Sequence, residues 1–367
     1  MGKYIKSLQG IRIIGIFFIM CHHYLMMNDV NWTVLGFTWI WVQMFFVQSS
    51  FLITTILLND KGQPFKEYIS DFYLRRFLRI VPLYFAYLLI FAVAYMIWGK
   101  PDDFGDRAPY LFSFTFNFTR LIPTMDYGSV WFVHLWSLSI EGQFYLIWPL
   151  VIYFLSQQQL KYVLGGIIIL APIFRYWLAG YLLNHGYSTE MSGEITYAFT
   201  LSQFDAFAWG AAIPVFNLQE TLRKPGRWVL VSLTLLLAFG LANYFRLSAA
   251  GVDISITSFG FPTSWIQNFQ HVWSYTLVNM LFMFAILYLV KENIKGIFST
   301  PFFNSIGRTV YGIYVFHFAV LFAMTRLNMR VYTNPYLWFV VGIILTTMIA
   351  FISYNFYEKR IMELKDK

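Results

Sequence analysis

Arg12 and His23 are spaced so that both can act on one side of a single helix. They stand 11 residues apart in an apolar stretch, and 11 steps of 100° leave two side chains about 20° apart. The rise of the helix separates them by roughly 16 Å along its axis. An arginine can bind an anion, and a histidine can serve as a general base near neutral pH. The alternative is a pair of polar groups that only hydrogen-bond to neighbouring helices.

A basic segment from Tyr73 to Tyr84 leads into another apolar stretch. Arg76 and Arg79 lie at positions i and i+3, so they are neighbours on one helix face. Two guanidinium groups at this spacing suit a phosphate or pyrophosphate, with Arg75 beside them. A basic anchor for anionic lipid would explain the same three arginines, so both interpretations stay open.

Glu141 is a carboxylate placed where lipid hydrocarbon is expected, about ten residues into an apolar stretch. An unpaired carboxylate at that depth would need a cation or a histidine as its partner. His134 precedes it by seven residues, within about 20° of the same helix face. A structural hydrogen bond between helices is the alternative interpretation.

Asp205, Tyr314 and His317 also interrupt apolar stretches. Tyr314 and His317 are neighbours at i and i+3, so they can line one cavity if the segment is a helix. Structural pairing explains these three residues as well as chemistry does.

The elements that must position these residues are membrane helices. Of the 367 residues, 58% are hydrophobic and only 12% are charged, and the mean hydropathy is +0.57. Soluble domains usually contain roughly a quarter charged residues, so the composition excludes a disordered chain, a fibre and an ordinary cytosolic enzyme. Apolar stretches long enough to cross a bilayer predict an all-α polytopic membrane protein. Ten spans are predicted, at residues 8–27, 34–58, 81–98, 130–155, 163–183, 197–216, 228–245, 268–290, 308–326 and 336–356.

The distribution of basic residues predicts the orientation. With the N-terminus inside, 18 of the 26 Lys and Arg residues fall on the cytoplasmic side, which favours both termini in the cytoplasm and a cytoplasmic (inner) membrane location. The net charge of +8 is then explained by topology and an anionic ligand, and no nucleic-acid partner is expected. His22 and other polar residues interrupt the first stretch, which favours a retained span over a cleaved signal. Cys21 is the only cysteine, so an intramolecular disulfide and a cysteine-rich metal site are excluded. No metal cofactor is expected.

Taken in chain order, these motifs resemble the integral-membrane acyltransferase-3 family. Arg12 and His23 are similar to its R-x10-H signature, and Arg76-Phe-Leu-Arg79 matches its R-x-x-R motif. Further similarities are Phe45 to Phe51 with an FFVxSGF element, Trp136 to Pro149 with WSLSxEEQFYLxWP, Gly307 to His317 with G-R-x-x-Y-x-x-Y-x-x-H, and Leu201 to Gly210 with a weaker RxDxxxxG element. The resemblance extends from residue 8 to about 358.

The resemblance implies transfer of an acyl group, most often acetyl, from cytoplasmic acyl-CoA to a hydroxyl group of a glycan. His23 would be the general base, with Glu141 or His134 orienting it. The CoA phosphates would bind the basic residues Arg12, Arg75, Arg76, Arg79 and Arg308, and the substrates would contact Ser139, Asp205, Tyr314 and His317. Direct attack is preferred over an acyl-enzyme on Cys21 or Ser139, since Cys21 is rotated about 160° from His23.

Several positions depart from the family pattern. Ser50 replaces a usual Gly, Gly142 a second Glu, Gln203 a usual Arg, and Arg360 a common Pro. Gly142 leaves Glu141 as the only carboxylate of its motif, and Gln203 weakens the case for a ligand contact there. Family members often have an extra hydrolase-like domain, whereas a single membrane domain over residues 1–367 is expected here.

The competing function is a transporter or flippase for a lipid-linked sugar, which would also use membrane helices, buried charges and a basic opening. The absence of an inverted repeat in the sequence disfavours many transporter folds. The expected acceptor of the enzyme is a cell-surface or exported polysaccharide or its lipid-linked precursor. Binding of CoA discriminates between the two functions, because a flippase has no use for it.

Overall fold

The computed structural model describes residues 7–28, 37–101, 103–122, 125, 131–252, 266–292, 300–331 and 334–366. Within these ranges the regular structure is helical, without a β-strand. The α-helices, in chain order, are α1 (Ser7–Asn28), α2 (Ile40–Asp60), α3 (Phe65–Trp98), α4 (Phe104–Phe112), α5 (Trp136–Phe154), α6 (Gln157–Asn184), α7 (Thr189–Ala198), α8 (Phe204–Val215), α9 (Leu218–Thr221), α10 (Pro225–Ala249), α11 (Gln270–Lys291), α12 (Pro301–Val331), α13 (Pro335–Ser353) and α14 (Lys359–Met362). A π-helical turn at Tyr354–Glu358 joins α13 to α14.

Nine helices in the described part of the chain are long and apolar enough to cross a membrane. They correspond to nine of the ten predicted spans, so the prediction of an all-α polytopic membrane protein is confirmed. The remaining predicted span, 197–216, differs. It contains the end of α7, a short 3-10 turn at Thr200–Gln203 and the 12-residue helix α8, which alone is roughly 18 Å long and too short for a bilayer.

The interrupted segment nevertheless runs the whole length of α6 in the opposite direction. Near the end of α6, Leu182 packs with Ile195 of α7. Near its start, the Gln157 side chain donates a hydrogen bond to the Val215 carbonyl at the end of α8, over 3.0 Å. The chain therefore makes this crossing, the sixth in chain order, in two pieces, which brings the number of crossings among the described residues to ten. Hydropathy alone predicted one continuous helix because both pieces are apolar.

The break is tolerated because α8 is surrounded by protein rather than lipid. Asp205 to Ala208 are all buried, and a Cβ atom added at Gly210 would lie 2.1 Å from the Val47 carbonyl oxygen of α2. Peptide groups that lose their helical hydrogen bonds at the break find partners in the surrounding protein. For example, the Gln203 side chain donates a hydrogen bond to the Tyr197 carbonyl over 2.6 Å. Irregular backbone at membrane depth is stable when protein surrounds it.

The helix α3 is much longer than the predicted span 81–98. Its 34 residues extend roughly 51 Å, compared with about 30 Å for the hydrocarbon core. The first half, which contains the basic segment, thus reaches beyond the lipid hydrocarbon. Pro82 lies inside the helix, and Tyr311 of α12 donates a hydrogen bond to the Ile80 carbonyl beside it, over 2.7 Å.

Candidate active site

Three histidines from distant parts of the chain form a cluster. His23 comes from α1, His317 from α12 and His134 from the 3-10 turn that precedes α5. His23 Nδ1 lies 2.7 Å from His317 Nε2, and the rings of His134 and His317 have their centroids 5.1 Å apart. His134 and His317 are fully buried, whereas His23 is partly exposed.

The hydrogen bonds define which nitrogen of His23 carries the proton. His317 Nδ1 lies 2.6 Å from the Tyr314 carbonyl oxygen, which can only accept, so this nitrogen carries the hydrogen. In a neutral ring His317 Nε2 is then an acceptor, and His23 must donate to it from Nδ1. His23 Nε2 is left with a free lone pair, which is the form that a general base requires.

His134 is held by α12 and in turn supports it. Its Nε2 donates to the Val315 carbonyl over 3.1 Å, while its buried Nδ1 has no hydrogen-bond partner among the described residues. The Tyr314 hydroxyl donates to the His134 carbonyl over 2.7 Å and lies 2.5 Å from Ser137 Oγ. Tyr314 therefore connects the histidine cluster to the start of α5.

A cavity of about 550 Å³ lies between α1, α2, α3, α5 and α12. Its lining on α2 extends from Val42 to Ile56, which corresponds to roughly 21 Å along the helix. The cavity is therefore long and narrow. Glu141 and Tyr314 line this cavity together with four of the predicted arginines. These are Arg12, Arg75, Arg76 and Arg79. His23 does not line it, but Ile19, one turn earlier on α1, does.

The arginines of the cavity are not equivalent. Arg76 packs against aromatic rings, with its guanidinium carbon 5.9 Å from the ring centroids of both Phe72 and Tyr145. Its buried Nε has no hydrogen-bond partner among the described residues. Arg75, by contrast, forms ion pairs with Asp60 at 3.4 Å and Asp71 at 3.1 Å. Arg76 is thus the better available donor for an anion.

Arg308 is separate from these arginines. It is exposed on α12 and is not among the residues that line the cavity. The cavity therefore contains four of the five arginines expected to bind the CoA phosphates.

Glu141 lies in the cavity wall, and its contacts are hydroxyl groups. Ser49 and Tyr145 both donate hydrogen bonds to its Oε1. The residue that is hydrogen-bonded to His23 is His317, which the sequence suggested as a substrate contact. Helical spacing did not mark Ser49 or Tyr145 as candidates, although both lie within the FFVQSSF and WSLS…WP motifs.

The limited space beside Glu141 explains why position 142 is a glycine. A Cβ atom at position 142 would lie 3.0 Å from Cδ1 of Phe114, a residue that has a positive φ of 55°. A second glutamate, as in the family pattern, would require this ring to move. The aromatic ring of Phe114 thus occupies the space of the second carboxylate.

Two other predicted contacts, Asp205 and Ser139, lie outside the cavity lining. Both carboxylate oxygens of Asp205 accept hydrogen bonds from Arg175 over 3.0 Å, and both side chains are fully buried. Arg175 also donates to the Ser202 carbonyl at the break before α8, over 2.6 Å. Ser139 Oγ bonds to the Leu135 carbonyl of its own helix. The Arg175 contacts fasten helices together, whereas the Ser139 contact is local.

The described ranges contain no group of three His, Cys, Asp or Glu side chains arranged to bind a metal ion. Cys21 is buried among apolar neighbours of α1, α12 and α13.

The chain matches a family described as an acyltransferase domain over residues 5–355. One relative is the peptidoglycan O-acetyltransferase OatA of Listeria monocytogenes, 26% identical over 375 residues, which cover 97% of this chain and 55% of the relative. Another is the O-acetyltransferase OatA of Staphylococcus aureus, 25% identical over 377 residues, which cover 97% and 57% respectively. The chain thus spans little more than half the length of these relatives. No solved structure matches it.

The family match includes α1, with Arg12 and His23, and every long helix through α13. It also includes the motifs that supply the cavity and the histidine cluster. The chain therefore belongs to the acyltransferase-3 family of integral membrane proteins.

Proposed function

We propose that this protein is an O-acetyltransferase that moves an acetyl group from cytoplasmic acetyl-CoA to a hydroxyl group of a glycan. The observation that supports this function best is the elongated cavity described above. Arginines line it, and so does Tyr314, whose hydroxyl bonds to the backbone of His134. The names of the two relatives support the reaction class.

The arginines would bind the phosphate groups of the donor. Arg76 and Arg79 follow one another at i and i+3 on α3, and Arg12 faces the same cavity from α1. Guanidinium groups form strong, bidentate hydrogen bonds with phosphate oxygens. The slender pantetheine arm would then extend along the cavity and bring the thioester towards Tyr314.

His23 would act as the general base from Nε2. It takes the proton of the acceptor hydroxyl while the hydroxyl oxygen attacks the thioester carbonyl carbon. The tetrahedral intermediate expels the CoA sulfur as a thiolate, which receives the proton back from His23. The products are the acetyl ester and CoA with a free thiol.

Direct transfer is the simpler course of this reaction. Cys21 is buried among apolar side chains, and Ser139 is bonded to its own helix. Neither of these described surroundings supplies a base that would activate the side chain as a nucleophile.

The acceptor would be a cell-surface or exported polysaccharide or its lipid-linked precursor, reached at the membrane face opposite to the arginines. The orientation follows from the excess of basic residues on the arginine side, which is the cytoplasmic side under the positive-inside rule. The protein would then be a multi-pass component of the cytoplasmic membrane.

Incubation of membranes that contain the protein with isotope-labelled acetyl-CoA tests this function, with labelled glycan as the readout. His23→Ala should reduce labelling by about 10²–10⁴-fold, the usual contribution of a general base. CoA binding and membrane insertion should be retained, because His23 lies outside the cavity lining.

His22→Ala is the matched control. His22 precedes His23 on α1, and its ring centroid lies 5.6 Å from that of His23, but it points about 100° away around the helix. The His22→Ala variant should label glycans at a rate close to that of the unchanged protein. An unchanged protein that binds no CoA and labels no glycan would contradict the proposal and favour a transporter.

A further inference from the structure

Glu141 is a carboxylate in the wall of a cavity whose other charged lining residues are arginines. It forms no ion pair with a described residue. Its Oε1 instead accepts hydrogen bonds from Ser49 and Tyr145, whose hydroxyl oxygens lie 2.5 Å from each other. The carboxylate is thus fixed in position by two neutral donors.

The second oxygen of this carboxylate is available to a ligand. A carboxylate offers about four lone-pair sites, and both hydroxyl groups bond to Oε1. Oε2 receives no hydrogen bond from a described residue, and the side chain lines the cavity. A phosphate beside it would be repelled. The ligand group that faces Glu141 must therefore donate an N–H or O–H.

The position of Glu141 along α5 shows which part of a donor molecule this is. Tyr145, Glu141 and Ser137 lie on successive turns, roughly 6 Å apart along the helix. Arg76 packs on the Tyr145 ring, whereas Ser137 bonds to the Tyr314 hydroxyl. Glu141 is thus midway between the arginine group and the end nearest the histidines.

On the basis of the acyl-CoA donor proposed above, we infer that Glu141 binds the amide N–H groups of the pantetheine arm. The arm joins the phosphates to the thioester and contains two secondary amides, so its donors fall between the two ends of the cavity. Glu141 is then a specificity residue for an amide-bearing donor. Its partner is the donor and not His23.

Binding of three ligands to the detergent-purified full chain tests this inference by isothermal titration. They are CoA, 4′-phosphopantetheine, which has the arm, and adenosine 3′,5′-bisphosphate, which lacks it. In Glu141→Gln the carboxamide oxygen can still accept from Ser49 and Tyr145, which leaves an NH₂ group facing the amide donors. We expect the Kd values of CoA and phosphopantetheine to rise about 10- to 100-fold, as for loss of a charged hydrogen bond. The Kd of the bisphosphate should change less than about threefold.

Glu67→Gln is the matched control, because it removes the same charge from an exposed position on α3. It should leave all three Kd values unchanged. Equal weakening of the bisphosphate, or unchanged CoA and phosphopantetheine affinities in Glu141→Gln, would overturn the inference while the proposed donor stands. If the unchanged protein bound none of the three ligands, that result would instead refute the proposed acyl-CoA donor itself.

Discussion

A histidine acts as a base only through a nitrogen that carries no proton, and the neighbours of His23 determine which nitrogen that is. His317 accepts from Nδ1 of His23, and the Tyr314 carbonyl fixes the proton of His317 on the other side. Neither of these two neighbours needs to touch a substrate. Their effect is to keep one tautomer and one ring orientation, so in the proposed reaction His317 would be a positioning residue.

Replacement of His317 should reduce kcat without a comparable change in KM for acetyl-CoA, because His317 does not line the cavity. For His317→Ala we expect a decrease of roughly 10- to 100-fold, typical of the loss of a residue that orients a functional histidine. His317→Gln should recover part of it, since its carboxamide oxygen can accept from His23 Nδ1. Steady-state kinetics with labelled acetyl-CoA measure both variants. An alanine variant with unchanged kcat, or a glutamine variant no better than alanine, would refute the positioning role.

At the scale of helices, the site depends on how closely α8 approaches α2. Gly210 is the point of contact, because the Val47 carbonyl occupies the space of a side chain. The same helix α2 supplies Ser49 to Glu141 and much of the cavity lining. A change at Gly210 therefore reaches the site through the helix that lines it.

Gly210→Ala should destabilise the protein by about 1–3 kcal/mol, as over-packing of a tight core does. The added Cβ would lie 2.1 Å from a backbone oxygen, which cannot move without the helix. Thermal unfolding in detergent measures the effect. Gly180→Ala is the control, since nothing lies within 4 Å of its added Cβ, and it should unfold at or above the original temperature. Equal unfolding temperatures for the two variants would contradict this account.

At the scale of the molecule, the nine continuous helices and one interrupted segment found among the described residues give an even number of crossings. The start of α1 and the end of the described chain are consequently on the same side. Leu8 and Met362 both line the arginine-containing cavity, which agrees with that count. If α8 did not complete a crossing, α10 and every later helix would be inverted, and Arg223, Lys224 and Arg227 would change sides.

Single-cysteine labelling tests this topology, because Cys21 is the only native cysteine and can be replaced by serine. In that background Gln158→Cys and Glu220→Cys should be protected from a membrane-impermeant thiol reagent in intact cells, and Asn184→Cys should react. All three positions are exposed. They lie in the first turn of α6, in α9 just after α8, and at the end of α6, respectively. Labelling of Glu220→Cys together with Asn184→Cys would show that α7 and α8 turn back without crossing.

Hydropathy and helical spacing were sufficient for much of this architecture. They located nine long helices and placed Arg76 and Arg79 on one helix face, where the cavity includes both. These features depend on local composition and on the 3.6-residue helical period, and both can be read directly from the order of the residues. The spacing of Arg12 and His23 correctly assigned them to one helix, although only Arg12 reaches the cavity wall.

The contacts between helices could not be obtained in this way. His23 and His317 are 294 residues apart, and which of the buried polar groups meet depends on how the helices pack. Glu141 was expected beside a histidine because of its spacing from His134, yet the described structure supplies Ser49 of α2 as its partner. The break in the sixth crossing was also invisible, because hydropathy does not distinguish an apolar helix in lipid from one inside protein.

The position of Tyr314 and Ser137 has a consequence for the cell's energy supply. Their hydroxyl groups line the cavity and are bonded to each other, while the imidazoles beyond them line none of it within the described residues. The described cavity thus stops short of the imidazoles, and by itself it is not a continuous path for protons down the membrane potential. Under the proposed function, binding of the acetyl donor in this cavity would not discharge the gradient that the membrane maintains.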